Sequence, residues 1–236
     1  MKKFYFIAAA LLMFSVTASA QFVNSSKSSS NASIAVEDVF NTAEFTYSPA
    51  NMVMSYDGDS ESEGMNALSL TWLQARRLPV NNLPLYVQYG AGLQWAFEIE
   101  SETNGDTKLK SSMNFLTVKV PVNVLYDFQI PSTPVNIMPY LGLNLQCHVI
   151  GSQKVSYTYD GKTKSESVSY FSKDDMEDIY GKAFNRIVLG WQIGAKVAYD
   201  KYFFGIAYEG PVTNLYKNGD AKINFNYVNI SLGIRF

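Results

Sequence analysis

The residues of this chain that carry obvious chemistry are few. His148 is the only histidine and Ser152 follows four residues later, so a hydrolase would use His148 as the base that activates Ser152 or a water, completed by a carboxylate from a nearby loop. Spacing alone supports no more than that, and a lone histidine more often serves as an ordinary hydrogen-bonding residue. No catalytic residue is assigned. Two acidic groups, Asp57-Gly58-Asp59-Ser60-Glu61 and Asp174, Asp175, Glu177 and Asp178, offer the oxygen ligands that calcium takes, but neither has the spacing of a full calcium loop. Solvated surface charge is the simpler role for both. The sequence has no glycine-rich phosphate loop, no Cys and His zinc spacing and no basic aromatic stripe, so neither metal nor cofactor is expected.

A second set of polar residues recurs inside apolar segments: Lys119, Glu209, Gln94, Asn144 and Gln192, then Asp127, Lys196 and Arg235. Their positions follow a period of two. Val87, Tyr89, Leu93, Trp95 and Phe97 alternate with Gln88, Gly90, Gly92, Gln94 and Glu98, which is a strand with one oily and one small or polar face. Val118, Val120, Val122 and Val124 oppose Thr117, Lys119, Pro121 and Asn123 in the same way, and Leu141, Leu143, Leu145 and Cys147 oppose Gly142, Asn144, Gln146 and His148. The pattern returns around Ile187 to Val197, Phe204 to Tyr208 and Val228 to Phe236. Two weaker segments, about Thr42 to Ser55 and Met65 to Leu78, bring the count to about eight strands, with ten possible. The first is interrupted by Pro49, which cannot donate to a ladder.

This pattern predicts an all-β, antiparallel up-and-down transmembrane barrel over residues 34–236. Glycines crowd the polar face and aromatics gather near the strand ends of the apolar face, as expected if the polar face turns inward and the apolar face meets lipid between interfacial girdles. A soluble ligand-binding barrel would reverse the faces. Short turns at Pro79 to Pro84, Pro131 to Pro134 and Asp200-Lys201 alternate with longer connections at Asp57 to Gly64, Ser101 to Lys110, Tyr159 to Lys182 and Lys217 to Lys222. Outer-membrane barrels have short periplasmic turns and long outer loops, and an even strand count puts both termini in the periplasm. Within the longest connection, Asp160-Gly161 suits a hairpin and Ser172 a helix cap with Gly181 past its end.

In an eight-stranded barrel the lumen is just wide enough for its own side chains. The inward set Lys119, Glu209, Gln94, Asn144, Gln192, Asp127, Lys196 and Arg235 is therefore expected to pair and fill the lumen as a polar network, because buried charges are costly unless paired.

The start of the chain agrees with export. Lys2 and Lys3, the apolar run Phe4 to Val16 and Ala18-Ser19-Ala20 have the layout of a signal peptide over residues 1–20, and residues 21–33, rich in Ser and Asn, read as a flexible leader. The 19 basic and 21 acidic residues give a net charge of -2, so no nucleic-acid partner is expected. Cys147 is the only cysteine and excludes an internal disulfide.

The Ala20-Gln21 junction, VKVPVNVLYDF from Val118 to Phe128, PYLGLNL from Pro139 to Leu145 and the terminal GIRF resemble the small porin-like outer-membrane barrels abundant in Bacteroidetes, akin to the OmpA and OmpX barrels. The resemblance implies outer-membrane lipid and lipopolysaccharide as surroundings. It also implies insertion by the outer-membrane assembly machinery, which would read the last strand through Ile234 and Phe236; Ser231 departs from the glycine common in that signal. The family name carries location rather than chemistry. The expected function is a non-enzymatic barrel of a Gram-negative outer membrane, serving envelope structure or surface interaction through its outer loops, with an extracellular partner that the sequence does not name. Its rivals are a narrow channel and a lipid-modifying enzyme using His148.

Overall fold

Period-two alternation produces eleven strands among the described residues, eight of which close into a ring. The computed structural model describes residues 37–80, 83–104 and 107–236, so the signal segment 1–20 and the leader 21–33 lie outside the described residues. The strands are β1 (Val39–Tyr56), β2 (Asp59–Arg77), β3 (Leu85–Asn104), β4 (Thr107–Tyr126), β5 (Phe128–Gln129), β6 (Val135–Tyr159), β7 (Lys162–Ser169), β8 (Ile187–Tyr199), β9 (Tyr202–Pro211), β10 (Tyr216–Asn218) and β11 (Ala221–Arg235), and the one helix among the described residues, α1 (Lys173–Tyr180), follows β7. The ring runs β1-β2-β3-β4-β6-β8-β9-β11, antiparallel throughout, and β1 pairs with β11 from Thr42 opposite Arg235 to Ser55 opposite Lys222. That closing pair leaves the ring without an edge.

Alternation assigns the faces without ambiguity. Along β1, Thr42, Glu44, Thr46 and Ser48 are buried, whereas Phe45 and Tyr47 are 51% and 41% exposed. Leu70, Leu141 and Leu232 are 66%, 61% and 61% exposed, while Gln88, Asn144 and Lys196 are each at most 1% exposed. Apolar side chains are thus outside and polar ones inside, the reverse of a water-soluble fold and the arrangement that hydrocarbon demands. Trp72, Tyr199, Tyr202 and Phe236 edge this belt at the short-turn end, and Tyr47, Trp95, Trp191 and Tyr208 edge it toward the other. Two of the prolines inside strands, Pro49 and Pro121, sit where ladders lapse. Pairing of β1 with β11 skips Ser48 and Pro49, and pairing of β3 with β4 skips Pro121, because proline has no N–H to give.

The long connections differ from the sequence expectation. Asp57 to Gly64 and Ser101 to Lys110 are strand rather than loop almost to their tips. Asp57-Gly58 turns with φ of 48° and 89°, and Asp160-Gly161 with 49° and 71°, the left-handed pairs of tight hairpins. Beyond the belt the wall opens into two sheets: β3, β4, β6 and β7 form one, and β2, β1, β11 and β10 the other. The β2–β3 register ends at Asn66 opposite Phe97. Three residues further it would set Glu63 against Glu100, and two beyond that Glu61 against Glu102; like charges directly opposite are destabilising, so the seam opens there. Helix α1 follows β7 with Ser172 as its cap, the Oγ accepting from Asp175 N–H, and stops at Gly181 with φ 76°.

Glycines on the inner face mark close approach. A methyl added at Gly90 would collide with the carbonyl oxygen of Trp72, whereas one at Gly64, on the open sheet, would meet nothing within 4 Å. Gly90→Ala is expected to destabilise the barrel by about 1–3 kcal/mol and Gly64→Ala by less than about 0.5, compared by urea unfolding of the two variants; equal effects would contradict the packing described.

Candidate functional site

The interior is layered. At the short-turn end Phe40, Tyr86, Leu125, Met138 and Phe203 are all buried and form an apolar plug, with Phe40 and Tyr86 edge to face at 5.1 Å. At the other end a larger plug gathers Phe115, Phe225 and Tyr227 from the wall with Tyr170, Met176, Phe184, Leu215 and Tyr216 from the elements beyond it. Tyr170 stacks on Phe115 at 5.3 Å and on Phe184 at 4.8 Å. The residues after β7 therefore fold back into the mouth. Between the plugs lies the polar layer.

Glu209, on β9 and 1% exposed, is the centre of that layer. Its Oε2 accepts from Lys119 Nζ at 2.6 Å and Asn229 Nδ2 at 3.4 Å, and its Oε1 from Gln146 Nε2 at 2.6 Å and Asn144 Nδ2 at 3.0 Å. Four donors from three strands meet one carboxylate. A second pair joins Lys196 to Glu44, whose Oε1 also accepts from Thr42 at 3.1 Å. Gln88 Oε1 takes Lys196 at 3.5 Å and Asn123 at 3.3 Å, and Gln192 donates to Asn123 at 2.6 Å. Each ammonium also faces a plug: Lys119 lies 5.1 Å from the Tyr227 ring, and Lys196 5.1 Å from Tyr140 and 5.2 Å from Phe203. Both pairs line one polar cavity of about 50 Å³, room for one or two waters.

The eight residues singled out from sequence fall into three places. Lys119, Glu209, Asn144, Gln192 and Lys196 join in this layer. Gln94 is buried beside it, but its amide atoms have no hydrogen-bond partner among the described residues. Asp127 and Arg235 meet elsewhere, beyond the lower plug, at 2.7 Å, with Asn136 donating to Asp127 and Arg235 also reaching Glu37 at 3.2 Å. Ile234 and Phe236 are 43% and 53% exposed on the outer surface, Phe236 edge-on to Trp72 at 4.9 Å. The expected network left out Gln88, Asn123 and Gln146, which alternation had already put on the polar face, and sequence reasoning missed Glu44. Glu44 was legible, because it alternates with Phe45 and Tyr47.

His148 is 1% exposed, its Nδ1 hydrogen-bonded to Thr117 Oγ1 at 2.8 Å and its ring stacked on Phe171 at 5.9 Å. Unbroken alternation over those four residues would set Ser152 on the same face as His148, and it does not lie there. A bulge lets Thr117 pair with His148 while Leu116 pairs with Ile150, and the skipped residue turns Ser152 outward. The base and nucleophile of the hydrolase reading are thus on opposite faces of the wall.

Of the acidic groups, Asp57-Gly58 is spent on a turn and Asp175 on capping, its Oδ2 accepting from Ser169 N–H at 2.9 Å. A cluster that sequence reasoning did not assemble, Glu63, Glu98 and Glu100, stands above the belt where the β2–β3 seam opens, its carboxylate oxygens within 4.8 Å of one another. Such acidic groups are common without an ion. Burial, then the charges of Glu63 and Glu100, push the Glu98 carboxyl up to about 7.

No protein-family model matches the chain and no curated protein matches it. Solved structures with a similar trace include Ail, the attachment invasion locus protein of Yersinia pestis (15% identity, 85% of this chain and all of that one, TM-score 0.36). Neisserial surface protein A (13%, 85% and 98%, 0.38) and the outer membrane enzyme PagL (12%, 79% and 98%, 0.36) are similar to the same degree. Family membership does not follow from likenesses of this size.

Two outcomes are expected. Lys119→Met strands the Glu209 charge and destabilises by about 3–5 kcal/mol, and Glu209→Gln added to it restores a large part, because a neutral amide still accepts from Gln146; additive losses in urea unfolding would contradict the pair. Glu98, raised in the folded state, contributes stability that is fully present below the unfolded carboxyl range and is lost as pH rises through about 7. Amide exchange of residues 98–103, corrected for intrinsic rate, is therefore expected to be better protected at pH 5 than at pH 8, and Glu98→Gln to abolish the difference.

Proposed function

We propose that this chain is a closed, non-enzymatic barrel of the outer membrane whose work is done by the two sheets it raises beyond the bilayer. The exposed apolar belt supports insertion, and the short turns at one rim with the raised sheets at the other support a periplasmic and an extracellular side. Both described ends then lie at the periplasmic rim, where Asn41 and Phe236 exchange backbone hydrogen bonds at 2.8 and 3.0 Å. Outer-membrane lipid and lipopolysaccharide are the surroundings this implies, and the assembly machinery would read Ile234 and Phe236.

The single observation that carries the closed reading is the stacking of two apolar plugs around a paired polar layer. Conduction would require both aromatic clusters to leave the axis and the Lys119–Glu209 and Lys196–Glu44 pairs to part, which costs several kcal/mol for each stranded charge. The enzyme reading has less support, since His148 is sealed among aromatic rings and hydrogen-bonds to Thr117. The reading these observations support is interaction through the raised sheets. Their axial face combines Tyr56, Leu109, Tyr157 and Tyr159, exposed by 70%, 42%, 47% and 57%, with the carboxylates of β2 and β3.

The expected behaviour is fractionation with outer membranes, heat-modifiable gel mobility and no discrete current steps in planar bilayers; reproducible steps from the folded protein would support the channel instead. Whole cells with the 57–63 and 107–110 tips replaced by Gly-Ser are expected to keep the barrel and lose surface association. A loss of barrel assembly in those variants would contradict the division of labour.

A further inference from the structure

Carboxylates on the strands of the raised sheets are sorted by face, all of them axial, where Lys162 and Lys164 of β7 also lie, while the outward face carries lysines alone among its charges. Cross-strand partners share a face, so the register assigns every strand residue beyond the belt to the axial or the outward side. Asp59, Glu61, Glu63, Glu98, Glu100 and Glu102, together with Glu166, are all axial. The outward face holds Lys108, Lys110 and Lys154 on one sheet and Lys217 and Lys222 on the other, with no carboxylate among the described strand residues. Its remaining residues there are chiefly Ser, Thr and Asn, among them Ser101, Ser112, Ser156, Thr158 and Asn224. All five lysines are exposed, and none forms an ion pair among the described residues.

This outward face is continuous with the lipid belt. Leu116, opposite Trp95 of the upper girdle, lies on the same side of β4 as Ser112, Lys110 and Lys108, and Val228 lies on the same side of β11 as Lys222. The lysines begin four residues past Leu116, at the level of Ser112 opposite Lys154, and reach eight residues past it at Lys108. At about 3.3 Å per residue and a tilt of about 40°, they stand roughly 10–20 Å above the girdle. A phospholipid headgroup layer adds only about 5–8 Å to the hydrocarbon. Positive charge at this height, spaced by hydroxyls and amides and with no acid among the described outward strand residues, matches a headgroup that is tall, sugar-built and phosphorylated.

We propose that the outward faces of the two raised sheets bind the phosphorylated saccharide headgroup of an outer-leaflet glycolipid, with Lys108, Lys110, Lys154, Lys217 and Lys222 on its phosphates and the neighbouring hydroxyls on its sugars. The axial carboxylates stay turned away from that anionic layer. The proposal rests on the membrane reading above.

The test reconstitutes the full chain in phosphatidylethanolamine vesicles and measures saccharide lipid retained per barrel after gel filtration at 0.1 M salt. The probes are lipopolysaccharide with its phosphates and the same lipopolysaccharide dephosphorylated. At least tenfold greater retention of the phosphorylated form is expected, falling at 0.5 M salt as exposed charges are screened. The variant Lys108→Ser, Lys110→Ser, Lys154→Ser, Lys217→Ser and Lys222→Ser is expected to drop to the dephosphorylated level while keeping its heat-modifiable mobility. Equal retention of the two lipids, which needs no variant, overturns the proposal. So does full competition by phosphatidylglycerol or by inorganic phosphate, which would name a phospholipid or a free anion as the ligand. A wild-type chain that does not enter vesicles overturns the membrane reading itself.

Discussion

The constraint on which this structure depends is that no backbone N–H or C=O may be left bare in hydrocarbon. An open sheet of these eight strands would expose the whole edge of β1 and of β11, and their mutual pairing removes both. Closure fixes an inside, and alternation then leaves each strand one way to face. The apolar side chains that would form the core of a soluble protein are outside, so the interior must be held by something else. It is held by two aromatic plugs and, between them, by buried charge.

That interior explains why the barrel is filled. A lone buried carboxylate is costly, and Glu209 is tolerable because Lys119 and three amides surround it. The partners lie on β4, β6 and β11, so the contacts of one side chain tie those three strands to β9. Lys196 ties β8 to β1 through Glu44 in the same way. The larger plug owes its mass to Tyr170, Met176 and Phe184, outside the eight-strand ring, so sealing the lumen and anchoring the outer elements are one act of packing.

Much of this was legible in the sequence and some was not. Alternation gave the strands, their faces and the inward position of Lys119 and Glu209, since a one-residue slip would turn every side chain around. It did not give partners, because Lys119 and Glu209 are 90 residues apart and only the closed ring sets them opposite each other. Alternation failed at the bulge beside Thr117, where one extra residue turned Ser152 away from His148. It also misread polar stretches as loops: Asp59 to Gly64 and Ser101 to Asn104 lack apolar residues at most outward positions because the medium there is not hydrocarbon, yet the ladder continues. Separate apolar residues of the helix and its flanks gave no periodic sign that Met176 or Phe184 would enter the barrel mouth.

The central claim is that oil faces out, and the three tryptophans test it most directly because Trp72, Trp95 and Trp191 are all on the outer face, 40%, 48% and 40% exposed. The measurement is tryptophan emission of the native chain in vesicles whose acyl chains carry bromine, against iodide in the water phase. This account requires strong quenching by the brominated chains and little by iodide. Emission indifferent to bromine but quenched by iodide, or indifferent to both, would place the tryptophans in water or inside the barrel and contradict it.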